Sequence, residues 1–134
     1  KMALHVVGTP ALVERVGKPR SVQDLAALPL TALMDRSSGR PWPWFFGKGR
    51  QYMPSAPAFV TDDVDAECAA VVAGLGFGQL VGPLAEPLLR SGELVAVLAA
   101  EAPEPWPIHV YRSQRSPVPA RVRLVYDELV RVLR

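Results

Sequence analysis

Apolar residues along this chain fall into short runs separated by Gly, Pro and polar clusters, and the spacing within the runs switches between strand and helix periods. Ala3 to Gly8 is β-branched and bounded by Gly-Thr-Pro, which predicts a strand. Thr9 is placed to cap a short helix, with Pro10 in its first turn and Gly17 at its end. Ser21 to Asp24 is a shortened capping box that opens a second helix through Leu28, stopped by Pro29. Leu30 to Met34 reads as another strand, and Asp35 to Pro43 as a loop rich in Ser, Gly, Arg and Pro. Phe45-Phe46 and Gln51 to Met53 flank Gly47-Lys48-Gly49 as the arms of a hairpin, and Ala58 to Val60 is a further short strand.

The next helix starts at Thr61 or Asp62. Val64, Cys68, Val71, Val72 and Leu75 recur at helical spacing, which predicts one buried face. Gly74 and Gly76 end it, and Phe77 to Val81 reads as a buried strand. Pro83 opens a short helix through Arg90, Gly92 turns the chain, and Leu94 to Leu98 and Ile108 to Tyr111 are the last two strands. The final helix follows Pro117 or Pro119 and carries Val122, Val125, Leu129 and Val132 on one face. Its outer face places Arg123 with Asp127, and Asp127 with Arg131, at four-residue spacing. Strands and helices alternate throughout, so the class is α/β. The Pro-rich stretch Ala102 to Pro107 is the expected hinge or linker.

Composition narrows this picture. The chain has 134 residues and 49% of them are apolar, which suits one domain with a packed core and excludes a disordered chain. Fifteen Lys and Arg against 13 Asp and Glu leave a net charge of +2, too little to argue for nucleic acid as a partner. The longest uncharged stretch, Cys68 to Ala85, is broken by four Gly and one Pro, so no membrane span or membrane partner is expected. The single cysteine excludes a disulfide framework and a Cys-based zinc site, and fits a reducing, cytoplasmic setting. The opening Lys1-Met2, with no basic-then-apolar leader, suggests a piece of something longer.

Candidate chemistry is sparse. Gly74-Leu-Gly76-Phe-Gly78 invites comparison with a dinucleotide loop, but the third required glycine is missing and the order is helix then strand. A helix C-cap with tight packing explains it better. Asp62, Asp63, Asp65 and Glu67 lack the Gly and distal Glu of a calcium loop, and read as a capped helix start with acidic first-turn residues. His5 and His109 have no carboxylate or cysteine at ligand spacing, no nucleophile elbow occurs, and Cys68 sits on an apolar helix face. No catalytic residue, metal or cofactor is therefore expected, and a small hydrolase is disfavoured. Arg36-Ser37-Ser38-Gly39-Arg40 is the exception. It reads either as a solvated turn or as a loop whose hydroxyls and guanidinium groups bind a carboxylate or phosphate, with Trp42, Trp44 and Phe45 beside it.

Val6-Val-Gly-Thr-Pro-Ala-Leu-Val-Glu-Arg-Val-Gly17, followed by Pro19-Arg-Ser-Val-Gln-Asp-Leu25, resembles the strand, "S/T-P-x-Y-L" helix, Gly and "P-x-t-P-x-D-L" passage in the effector-binding domain of LysR-type transcriptional regulators. Leu30 to Met34 with Trp42 to Phe46, then Thr61-Asp62-Asp63 with Ala69 to Gly78, resemble its next two segments. Leu88-Leu-Arg-Ser-Gly-Glu-Leu-Val95 resembles "G-x-L-v", while Tyr111, Arg115, Ser116-Pro117 and Val122 to Leu133 resemble its closing strand and helix.

The resemblance covers nearly all of residues 1–134. It implies a periplasmic-binding-protein type II-like subdomain over about 1–105, with a strand and helix over about 106–134 that return to the first subdomain. It also implies a small-molecule effector, a small organic metabolite, in a cleft formed by Arg36, Ser37, Ser38, Thr61, Asp62 and Phe77. DNA contact would come only through an N-terminal helix-turn-helix outside this chain. The final helix would lack its usual cover, so a homodimer or higher oligomer is expected. Asp at position 62, where the family favours Asn, disfavours an anionic effector unless Arg36 or Arg40 offsets it. The rival reading is a stand-alone α/β dimerisation or protein-interaction module.

Overall fold

The computed structural model describes residues 1–112 and 117–134. Arg115 and Ser116 lie outside the described residues. The chain divides into two compact units: Ala3–Glu104, and Lys1–Met2 with Pro105–Arg134.

The Ala3–Glu104 unit runs β1 (Leu4–Gly8), α1 (Pro10–Val16), a 3-10 helix (Val22–Ala27), β2 (Thr31–Asp35), β3 (Arg40–Pro41), β4 (Trp44–Phe45) and β5 (Gln51–Tyr52). It continues with β6 (Phe59–Thr61), α2 (Val64–Val72), β7 (Gly78–Val81), α3 (Gly82–Ser91) and β8 (Val95–Val97). Short 3-10 turns cover Gly47–Gly49 and Ala99–Glu101. β1 is the middle strand of an antiparallel sheet, with β7 on one side and β8 on the other. β2 lies between β3, antiparallel, and β6, parallel. A single parallel bridge, Leu30 to Phe77, joins the two sheets.

The strand period explains the two-sided core. Successive side chains on β1 point to opposite faces. Val6 therefore enters a cluster with Leu12, Leu25, Phe46 and Phe77, while Val7 enters another with Val71, Leu80, Ala85 and Leu94. The caps follow sequence expectation. Thr9 Oγ1 accepts from Leu12 N–H at 3.1 Å, and Asp24 Oδ2 accepts from the N–H groups of Arg20 and Ser21 at 2.8 and 3.0 Å. The segment after Ser21 is a 3-10 helix rather than an α-helix, since Pro29 leaves only six residues to wind.

The face predicted for α2 holds at Val71, which is buried, and at Cys68, which packs against the same cluster, and needs correction at Val64, Val72 and Leu75. Val64 and Leu75 are 46% and 47% exposed, and Glu67, Ala70 and Val71 form the buried face. The helix is apolar nearly all round, so helical spacing of its apolar residues cannot select which side packs.

In the other unit, Met2 and Trp106 form an antiparallel bridge, their amides and carbonyls exchanging bonds of 2.7 and 2.9 Å. The strand expected at Ile108–Tyr111 does not form. Pro105 and Pro107 remove the amides that would extend the ladder beyond Trp106. α4 (Ala120–Val132) carries Val122, Val125, Leu129 and Val132, between 42% and 63% exposed. Arg123 pairs with Asp127 at 3.9 Å as expected, but Arg131 takes Glu128 instead of Asp127. Among the described residues no helix is long and apolar enough to cross a membrane.

Candidate functional site

Parallel pairing of β2 with β6 sets Leu33 opposite Thr61, so both strands leave the sheet at the same end. In open α/β sheets that end is where ligands bind. The chain beyond β2 is the turn of residues 36–39, and the chain beyond β6 is the start of α2.

The first of these segments is built by Asp35. Its carboxylate accepts from Ser37 N–H at 2.9 Å and from the Ser37 hydroxyl at 2.8 Å, and the Asp35 carbonyl accepts from Gly39 N–H at 2.8 Å. The Ser37 hydroxyl, then its amide, hold the Asp35 carboxyl below the usual carboxylate range. Ser38 Oγ accepts from Arg40 N–H at 3.3 Å. Both serines thus shape the turn from within.

At the second segment Asp63 caps α2, accepting from Asp65 and Ala66 N–H at 2.8 and 3.0 Å. Thr61 Oγ1 accepts from Asp63 N–H at 3.2 Å. The acidic cluster is thereby explained as a capped helix start.

Arg36 Nε lies 2.8 Å from Asp62 Oδ2, with the two side chains 73% and 50% exposed. This ion pair joins the two segments and leaves the rest of both charged groups facing solvent. Arg36, Ser37, Ser38, Thr61 and Asp62 therefore come together. Phe77 does not join them: its side chain is fully buried in the core and meets Leu12 and Gly8 rather than an open surface. Its position at the bridge to Leu30, in the middle of the joined sheets, is what buries it.

Sequence reasoning missed the support beneath this end. The Thr31 hydroxyl donates to Glu67 Oε1 at 2.7 Å, with both residues buried, and ties β2 to α2. Burial pushes the Glu67 carboxyl above its ordinary pKa, partly offset by the bond from Thr31. The signal was available in the spacing: Glu67 stands three and four residues before Ala70 and Val71, on their face of the helix.

The glycines that resembled a dinucleotide loop serve packing. Gly74 ends α2 with φ of +79°. A Cβ at Gly76 would lie 2.8 Å from the Pro29 carbonyl oxygen, and one at Gly78 would lie 2.5 Å from Val71 Cγ2.

Elsewhere the chemistry is quiet. His5 Nε2 is buried, lacks a hydrogen-bond partner among the described residues, and sits 3.7 Å from Glu86 Oε1. Burial, then Asp65 and Glu67, push the Cys68 thiol up, away from the reactive thiolate. Among the described residues, no group of three or more His, Cys, Asp and Glu could hold a metal. A surface hollow of about 230 Å³, lined by Thr9, Arg15, Val72 and Gly74 among others, shares no residue with the Arg36–Asp62 end.

The family described as LysR substrate binding domain matches residues 2–134. The chain belongs to that family. It is also 34% identical over 125 residues, 92% of its length, to YcaN, an uncharacterized HTH-type transcriptional regulator of Escherichia coli, and spans 40% of that relative. The regulatory domain of CrgA, a LysR-type transcriptional regulator from Neisseria meningitidis, superposes with a TM-score of 0.75 at 20% identity, over 100% of this chain and 66% of that one. The AphB regulatory domain of Vibrio vulnificus gives 0.71 at 18% identity, over 97% and 64%. The fold is thus that of LysR regulatory domains, which are periplasmic-binding-protein type II-like. Membership of a regulator family disfavours the stand-alone interaction module.

Proposed function

We propose that this chain is part of the effector-binding domain of a LysR-type transcriptional regulator. Residues of about 1–105 form the second subdomain, and about 106–134 return to the first. The observation that carries the reading is the Arg36–Asp62 ion pair, which draws the β2–β3 turn and the start of α2 together at the strand ends. Arg36, Ser37, Ser38, Thr61 and Asp62 line this half of a cleft for a small organic metabolite, and Phe77 lies in the core instead. Effector binding shifts the balance between arrangements of the subdomains, and so alters transcription. DNA contact belongs to a helix-turn-helix outside this chain, in a cytoplasmic protein, and the chain itself carries out no catalysis.

Assembly as a homodimer or higher oligomer is supported by α4, on which Val122, Val125, Leu129 and Val132 share one exposed apolar face that suits a partner surface.

The test is a thermal-shift screen of this chain against a library of small organic metabolites, followed by amide chemical-shift mapping of each stabilising compound. Shifts centred on residues 36–38 and 61–62 are expected. Stabilising compounds that all map elsewhere reject the assignment of this end as the effector site.

A further inference from the structure

We infer that the hollow between α1 and the end of α2 is a ligand site for a small monocarboxylate with an apolar body. It lies apart from the Arg36–Asp62 end, so the inference stands whether or not that end takes an effector.

Topology separates the two places. β7 runs parallel to β2 through the Leu30–Phe77 bridge, and β1 runs antiparallel to β7. The end of β1, where Thr9 follows, therefore lies at the opposite end of the sheets from the β2–β3 turn. α2 spans the distance. It starts just after Asp62, and its nine residues, about 14 Å of helix, end beside the hollow at Gly74.

The hollow is open because the side chains around it are short. Ala11 and Ala73 stop at Cβ, and a Cβ added at Gly74 would come within 3.6 Å of Thr9 Oγ1. The φ of +79° at Gly74 favours glycine there and keeps that corner clear. A volume of about 230 Å³ admits a molecule of about eight heavy atoms, taking roughly 30 Å³ each. Leu12 and Val72 give it an apolar floor and wall.

The polar groups around the hollow are donors. Arg15 lines it and has no ion-pair or hydrogen-bond partner among the described residues. Thr9 Oγ1 accepts from Leu12 N–H and keeps its own O–H to give. Among the described residues no acidic side chain lines it. A helix C-terminus opposes an anion through its free carbonyls. At α2, however, the carbonyls of Ala69, Ala70 and Val71 already accept from the amides of Ala73, Leu75 and Gly74. A carboxylate thus complements Arg15, which can hold it at two points, while an apolar body covers Leu12 and Val72. An ammonium would face the Arg15 charge, and a bare inorganic anion would leave the apolar wall uncovered.

Amide chemical-shift titration of this chain tests the proposal with hexanoate, 1-hexanol, hexylammonium and inorganic phosphate. Hexanoate is expected to shift amides within residues 9–15 and 72–75, with an affinity about tenfold above each other probe. Arg15→Gln is expected to lower hexanoate affinity about tenfold, to the level of hexanol, and to leave hexanol unchanged. Ala73→Leu, at an exposed position, is expected to fill the hollow and abolish binding of both. Hexanol or hexylammonium binding there as tightly as hexanoate overturns the carboxylate, and phosphate binding as tightly overturns the apolar body. Hexanoate shifts that are absent, or confined to residues 36–38 and 61–62, overturn the site itself. Hexanoate binding that survives Ala73→Leu does the same.

Discussion

The hydroxyl of Thr31 donates a 2.7 Å hydrogen bond to the carboxyl of Glu67, and both residues are buried. This pair links the strand that delivers Arg36 to the helix that begins just after Asp62. Desolvation raises the folded-state pKa of Glu67 above its ordinary, unfolded value. A raised carboxyl favours folding while it is protonated. Its contribution is therefore complete below the unfolded pKa and is lost as pH rises through the folded value. Glu67→Gln keeps an acceptor for Thr31 and removes the titration. Urea midpoints measured upward from pH 4 should fall in the parent and fall less in the variant; parallel curves would contradict the assignment.

Gly76→Ala tests close packing at the end of α2. The new Cβ would meet the Pro29 backbone at 2.8 Å, and Pro29 is itself held by a 2.9 Å bond from Phe77 N–H. Backbone cannot swing aside as a side-chain tip can, so a loss of about 1–3 kcal/mol is expected by denaturant unfolding. An unchanged midpoint would mean the contact relaxes freely.

These positions show what was legible along the chain and what was not. Thr9, Ser21 and Asp24 announce their helix starts because capping is local chemistry, complete within four residues. The Arg36 turn and the acidic helix start were likewise legible as separate segments. Their meeting was not, because it depends on β2 pairing in parallel with β6 across an intervening hairpin. Phe77 was misplaced for the same reason: its neighbours Leu12 and Gly8 are distant in sequence. Glu67 is legible as an acidic first-turn residue but its burial is not, because such residues usually face water and the partner Thr31 that makes burial tolerable lies 36 residues away.

Phe77→Ala should act on stability. Loss of a fully buried aromatic side chain from the core costs about 3–5 kcal/mol. Calorimetry or urea unfolding measures this, and a near-neutral result would show that the side chain is not packed as described.

Arg36→Ala and Asp62→Ala should behave in the opposite way. Both side chains are at least half exposed, so each variant should stay within about 0.5 kcal/mol of the parent by the same unfolding assay. A larger loss would make the ion pair part of the folding core rather than a surface available to a ligand.

The central claim is that this chain is the sensing part of a longer DNA-binding regulator. Sequencing the gene upstream of the codon for Lys1 tests it most directly. The account predicts an open frame encoding a helix-turn-helix and the remainder of the first subdomain. A start codon within a few residues of Lys1 would contradict it.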